Sequence, residues 1–101
     1  MDEQLPANPS GGQTLIVDAT NPRCYPRPSI ALHDAAEHDQ IYVRPGIYED
    51  KIFASDRPLR LVGAGRDQVQ IFCRRGGPLY LQRVSGGTIS GMTFQIGRAH
   101  V

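Results

Sequence analysis

The chain has 101 residues, eleven basic and ten acidic side chains, a net charge of +1 and 40% hydrophobic residues. That length allows one domain at most, and so short a chain buries only about 60–65% of the surface its unfolded form exposes. The charge balance, with no basic run longer than Arg74-Arg75, offers no footprint for nucleic acid or for an anionic membrane. No apolar run reaches the length of a membrane span.

Residues 1–13 are polar, carry Pro and Gly and lack periodicity, so they read as a disordered lead-in. The opening Met-Asp-Glu-Gln-Leu-Pro has neither a positive n-region nor an apolar h-region. With Met1 as the true start the expectation is cytoplasmic; with a longer N-terminus it is extracellular. Thr14–Asp18 reads as a short strand. Asn21–Pro28 holds three prolines and cannot be regular, and a helix is expected to begin near Ser29, a residue type suited to capping free N–H groups. On that helix Ala31, Leu32, Ala35 and Ala36 fall on one side and His33, Asp34, Glu37 and His38 on the other. It reads as a lid over the end of a β-structure.

From residue 41 onward, β-branched and aromatic runs are broken by turn residues about every ten positions. Ile41–Val43, Ile47–Phe53, Leu59–Val62, Val69–Phe72 and Leu79–Leu81 leave no room for crossover helices, which excludes a doubly wound sheet. A β-helix or an antiparallel meander remains. Leu59–Val62 and Leu79–Leu81 lie twenty residues apart, and Val69–Phe72 and Met92–Phe94 a little over twenty. These offsets suit one coil of a β-helix with like strands stacked.

Gly63-Ala64-Gly65 follows a strand, but it lacks a third glycine and opens no helix, so it reads as a tight turn between coils and not as a phosphate loop. Cys24 and Cys73 show no metal-ligand spacing and read as two unpaired small hydrophobes, with a disulfide between them as the alternative. His33 and His38, five apart, are not the i, i+4 pair that shares a metal. Asp34, Glu37, Asp39, Glu49, Asp50, Asp56 and Asp67 sit beside turns or on a solvated helix face, with no two spaced to cluster on one strand. No cofactor, metal or catalytic residue is therefore expected. Tyr42, Tyr48 and Tyr80 fall on strands, where an outward ring could stack on a sugar and an inward one packs between coils.

Ala31, Leu32, Ala35, Asp39, Ile41 and Val43, then Pro45-Gly46 and Tyr48, then Pro58, Leu59, Leu61 and Gly63, form a series that resembles the opening of the pectin-lyase-like superfamily. Residues 86–94 resemble a second coil of that family. The resemblance implies an all-β fold, a right-handed parallel β-helix of two to three coils with an N-terminal amphipathic capping helix, over residues 14–94. It says less of activity, since the superfamily hosts lyases, hydrolases, esterases, epimerases and non-catalytic scaffolds. Gly46-Ile47-Tyr48-Glu49-Asp50 is similar to the Gly-x-Tyr-x-Glu of pectin methylesterases, with Asp50 where that family has Glu. Gly63–Val69 is similar to their Gly-x-Gly-x-x-x-Thr, with Val69 in place of Thr. The catalytic residues of those esterases come from later coils, so none carries over.

Residues 95–101 match what one frame of a common sequencing adapter encodes and read as a non-native tail, which removes Arg98 and His100 from functional reasoning. With nothing after Phe94 to serve as a second cap, the chain reads as the first part of a longer one. The expected function is a non-catalytic scaffold or a carbohydrate- or protein-binding module, with Tyr48, Asp50 and Tyr80 as candidate ligand contacts. The alternative is the N-terminal region of a polysaccharide-active enzyme, a pectin methylesterase or pectate lyase, whose active site lies beyond the chain. A polysaccharide or protein partner and self-association through the open last coil are expected.

Overall fold

The computed structural model describes residues 5–96, for Ile96 the backbone alone. The β-branched runs form nine strands among the described residues: β1 (Thr14–Val17), β2 (Gln40–Val43), β3 (Gly46–Glu49), β4 (Ile52–Ser55), β5 (Leu59–Gly63), β6 (Val69–Cys73), β7 (Leu79–Gln82), β8 (Gly87–Ser90) and β9 (Thr93–Ile96). One helix, α1 (Pro28–Asp34), lies between β1 and β2. The strands make three sheets, A in the order β1-β2-β5-β8, B in the order β3-β6-β9 and C as β4-β7. Each strand pair is parallel. The chain thus visits A, B and C in turn and climbs one layer per circuit, a parallel β-solenoid of about three turns.

Inward residues of the three sheets form ladders that fill the bore. Leu15, Ile41, Leu61 and Ile89 stack on sheet A, Tyr48, Ile71 and Phe94 on sheet B, and Ile52 and Leu79 on sheet C. The middle members Ile41, Leu61 and Ile71, together with Ile52, are buried, each contributing about 1.5–3 kcal/mol of apolar transfer. Toward the last turn the bore opens, and Leu81, opposite Ala54 on sheet C, is 48% exposed.

The register corrects three readings of the sequence. The coil step is 23 residues on sheet B, as expected for Val69–Phe72 against the run ending at Phe94. On sheet A, however, it is 26, 20 and then 28 residues, and on sheet C it is 27. Leu59–Val62 accordingly stacks on Gly87–Ser90 and not on Leu79–Leu81, which belongs above Ile52–Ala54. Second, Ile47–Phe53 is two strands with a corner at Asp50-Lys51. Inward and outward residues alternate without a break from Tyr48 to Ser55, so the period-two pattern runs straight through the bend and conceals it.

Third, α1 starts at Pro28 with Arg27 as its N-cap, and Ser29 caps nothing with its own side chain. Proline suits the first helical turn because the missing N–H has no partner there. The helix ends at Asp34, so only Ala31 and Leu32 of the expected apolar side are buried and Ala36 is exposed. The described residues before β1, 5–13, carry no strand or helix. Within it Asn8 Nδ2 donates to the carbonyls of Gln13 and His38, and the Pro6 carbonyl accepts from the fully buried Gln40 side chain. Of the tail, Gln95 and Ile96 belong to β9 opposite Phe72 and Cys73; residues 97–101 lie outside the described residues.

Candidate functional site

The three expected contact residues do not converge. Tyr48 points into the bore at 3% exposure, and its hydroxyl donates to the Arg44 carbonyl at 2.9 Å. Burial pushes its phenol above the ordinary value. Asp50 sits at the corner between β3 and β4, 6% exposed, and accepts from the Ser29 N–H at 2.7 Å, the Ser29 hydroxyl at 2.6 Å and the Lys51 N–H at 2.9 Å. Its two oxygens hold the first turn of α1. Tyr80 alone of the three presents its ring to solvent, on the outer face of sheet C.

Tyr80 there stacks on Phe53, the residue directly opposite it on β4, with ring centroids 4.8 Å apart and planes 12° from parallel. Such a pair contributes about 0.5–1.5 kcal/mol beyond its buried area. The Tyr80 hydroxyl accepts from the Gly77 N–H at 3.0 Å, which fixes the ring, and the Lys51 ammonium lies 5.8 Å from its centroid. Phe53 remains 64% exposed. With one face against Tyr80, its other face is the open one.

Beside Phe53 runs a groove of about 430 Å³ between α1 and β4, lined by Ser29, Leu32, His33, Lys51, Phe53, Ala54, Ser55 and Arg57. It exists because α1 is held at both ends by the residues that flank β4. Asp50 takes the front of the helix, and Arg57 Nη2 donates to the Ala35 and Ala36 carbonyls, at 3.2 and 2.9 Å, just past its end. An isolated seven-residue helix would not persist in water. Opposite charges at its two ends complement the orphan N–H and C=O groups there.

The other carboxylates with partners hold turns and corners. Asp18 pairs with Arg44 at 3.2 Å, and Thr20 foremost holds its carboxyl below the usual range. Asp39 accepts from the backbone N–H of Ala36 and of Gln13, which lowers it likewise. Glu49 pairs with Arg74. Asp56 pairs with Arg83, and these two occupy the same corner of successive turns, both with left-handed backbones at φ 60° and 54°. In the Gly63-Ala64-Gly65 turn, the amides of Ala64 and Gly65 donate to the carbonyls of Val43 and Gly91, so the loop knits neighbouring coils. Among the described residues no group of three His, Cys, Asp or Glu is placed to hold a metal ion.

Sequence reasoning named Tyr80 and passed over Phe53, Lys51 and Arg57. The missing signal was the 27-residue step of sheet C, which aligns Phe53 with Tyr80. Compared with protein-family models, with curated proteins and with solved structures, the chain matches none.

Proposed function

We propose that this solenoid is a non-catalytic binding scaffold whose recognition surface is the outer face of sheet C. The observation that carries the reading is the solvent-facing Phe53–Tyr80 stack. Two adjoining rings left in water on an otherwise polar strand face offer a flat apolar surface for a partner. Asp18, Asp39, Glu49, Asp50 and Asp56 serve ion pairs and backbone anchoring, which supports a structural role for these five carboxylates. We further assign the solenoid to the right-handed, pectin-lyase-like type. The Pro45-Gly46-x-Tyr48 and Pro58-Leu59-x-Leu61 series supports this, falling at the sheet A to B corner and on β5.

The test is to probe glycan and peptide arrays with the chain and with a Phe53→Ser/Tyr80→Ser double variant. Spots bound by the parent and lost by an equally folded variant are the expected result. Identical binding by both, or conversion of any polysaccharide by the parent, overturns the reading.

A further inference from the structure

One wall of the groove beside α1 is a strand edge. Among the described residues sheet C has two strands, so β4 has a strand neighbour there on one side only. The amides of Ile52 and Asp56 donate toward β7, to the carbonyls of Pro78 at 2.7 Å and Gln82 at 3.0 Å. Backbone groups of alternate residues leave a strand on opposite sides, which turns those of Phe53 and Ser55 into the groove. No backbone hydrogen bond among the described residues joins α1 to β4. The first edge of sheet A is different: Tyr25 bridges to Val17 there, and its N–H donates to the Ile16 carbonyl.

Resting on sheet C as the recognition surface, we propose that this edge takes an extended acidic peptide of a partner protein. The peptide adds a strand to β4 and lays an apolar side chain on the open face of Phe53. Strand addition of this kind draws affinity from main-chain hydrogen bonds and specificity from alternate side chains. The spacing suits it. Adjacent strands lie about 4.7–4.9 Å apart, and the Phe53 and Tyr80 rings already repeat at 4.8 Å, so a ring on the added strand extends the same ladder by one step.

Charge selects the acidic sequence. The groove is lined by Lys51, Arg57 and His33 and by no carboxylate. Lys51 forms no ion pair among the described residues, and Arg57 donates to two carbonyls while its buried Nε finds no partner. Of the acids beside it, Asp56 pairs with Arg83, while Asp50, bound to Ser29, lines the adjoining groove and not this one. The adjoining groove beside β3 is of mixed sign, lined by Glu49 and Asp50 as well as by Arg27 and Lys51, and lacks this complementarity.

The experiment uses the whole chain, isotopically labelled, with acetyl-Glu-Asp-Val-Phe-Val-Asp-Glu-amide as probe. The control peptide carries Lys at each acidic position, and cellohexaose serves as a neutral sugar. The expected result is slowed exchange of the Phe53 and Ser55 amide protons with the acidic peptide. A Lys51→Glu variant, still folded by its amide spectrum, should bind about tenfold more weakly. Equal binding of the lysine peptide, protection confined to β7, β8 and β9, or dimerisation through β4 in place of peptide binding each overturns the proposal. Cellohexaose shifting Phe53 and Tyr80 while the acidic peptide does not overturns the peptide but leaves the recognition surface standing. Silence of both rings toward every probe overturns both.

Discussion

Asp50 grips Ser29 across 21 positions of sequence, one carboxylate oxygen on the backbone N–H at 2.7 Å and the other on the hydroxyl at 2.6 Å. A corner residue of the first full turn thereby does the work expected of a local cap. Asp50→Ala leaves three donors, the Ser29 N–H and hydroxyl and the Lys51 N–H, without their partner at a site that water barely reaches. The expected cost is about 2–3 kcal/mol in urea unfolding. Faster exchange at the Ala31 and Leu32 amides should precede global unfolding. Asp50→Asn, which keeps an acceptor oxygen, should cost less than Asp50→Ala.

Gly91 tests the close approach of coils on sheet A. It has φ 74°, and a Cβ there would lie 2.2 Å from the Gly63 carbonyl oxygen, a backbone atom of the turn beneath. Gly11 has φ 84° with open space around it. Gly11→Ala should therefore cost only the left-handed backbone penalty of about 1–2 kcal/mol. Gly91→Ala must also push two layers apart, and thermal melts should rank it clearly below Gly11→Ala.

The central ladder separates burial from mere hydrophobicity. Ile71 is fully buried between Tyr48 and Phe94, whereas Ile47 on β3 is 69% exposed. Ile71→Ala should cost about 2–5 kcal/mol, a large share of the stability of a chain of this size. Ile47→Thr should stay within about 0.5 kcal/mol of the parent, read by denaturant midpoint.

Acid should unfold the chain through its anchoring aspartates. Asp39 and Asp18 have folded-state values below 3.8, the first mainly from the Ala36 N–H and the second mainly from the Thr20 hydroxyl. The unfolded chain binds more protons at these sites, so their contribution is fully present above the unfolded value and is lost as pH falls through the folded one. The melting temperature should hold steady from neutral pH to about pH 5 and then drop toward about pH 2. Asp39→Asn should be less stable at pH 7 and show a shallower drop.

The coiling of the chain was legible because strand formers and turn residues alternate at too short an interval for helices between them. The Gly63-Ala64-Gly65 corner and the lid of Ala31 and Leu32 were legible for the same local reasons. What the sequence hid is geometric. Coils of 20 to 28 residues on one sheet defeat any fixed repeat, so Phe53 could not be aligned with Tyr80. The corner at Asp50 keeps the in–out alternation and leaves no trace in the pattern. Arg57 and Asp50 act on α1 from more than twenty residues away, and a capping signal sought next to the helix points instead to Ser29, whose donors are the groups being capped.

The most direct measurement is the set of inter-strand proton contacts in the solution spectrum of the full chain, read first at β4 and β7. The account requires parallel contacts that place Phe53 opposite Tyr80 and Ile52 opposite Leu79, with Ile41 opposite Leu61 on the neighbouring sheet. Close Hα–Hα pairs of an antiparallel ladder would contradict the solenoid, and a parallel register that seats Leu59 against Leu79 would contradict the Phe53–Tyr80 pairing and with it the recognition surface.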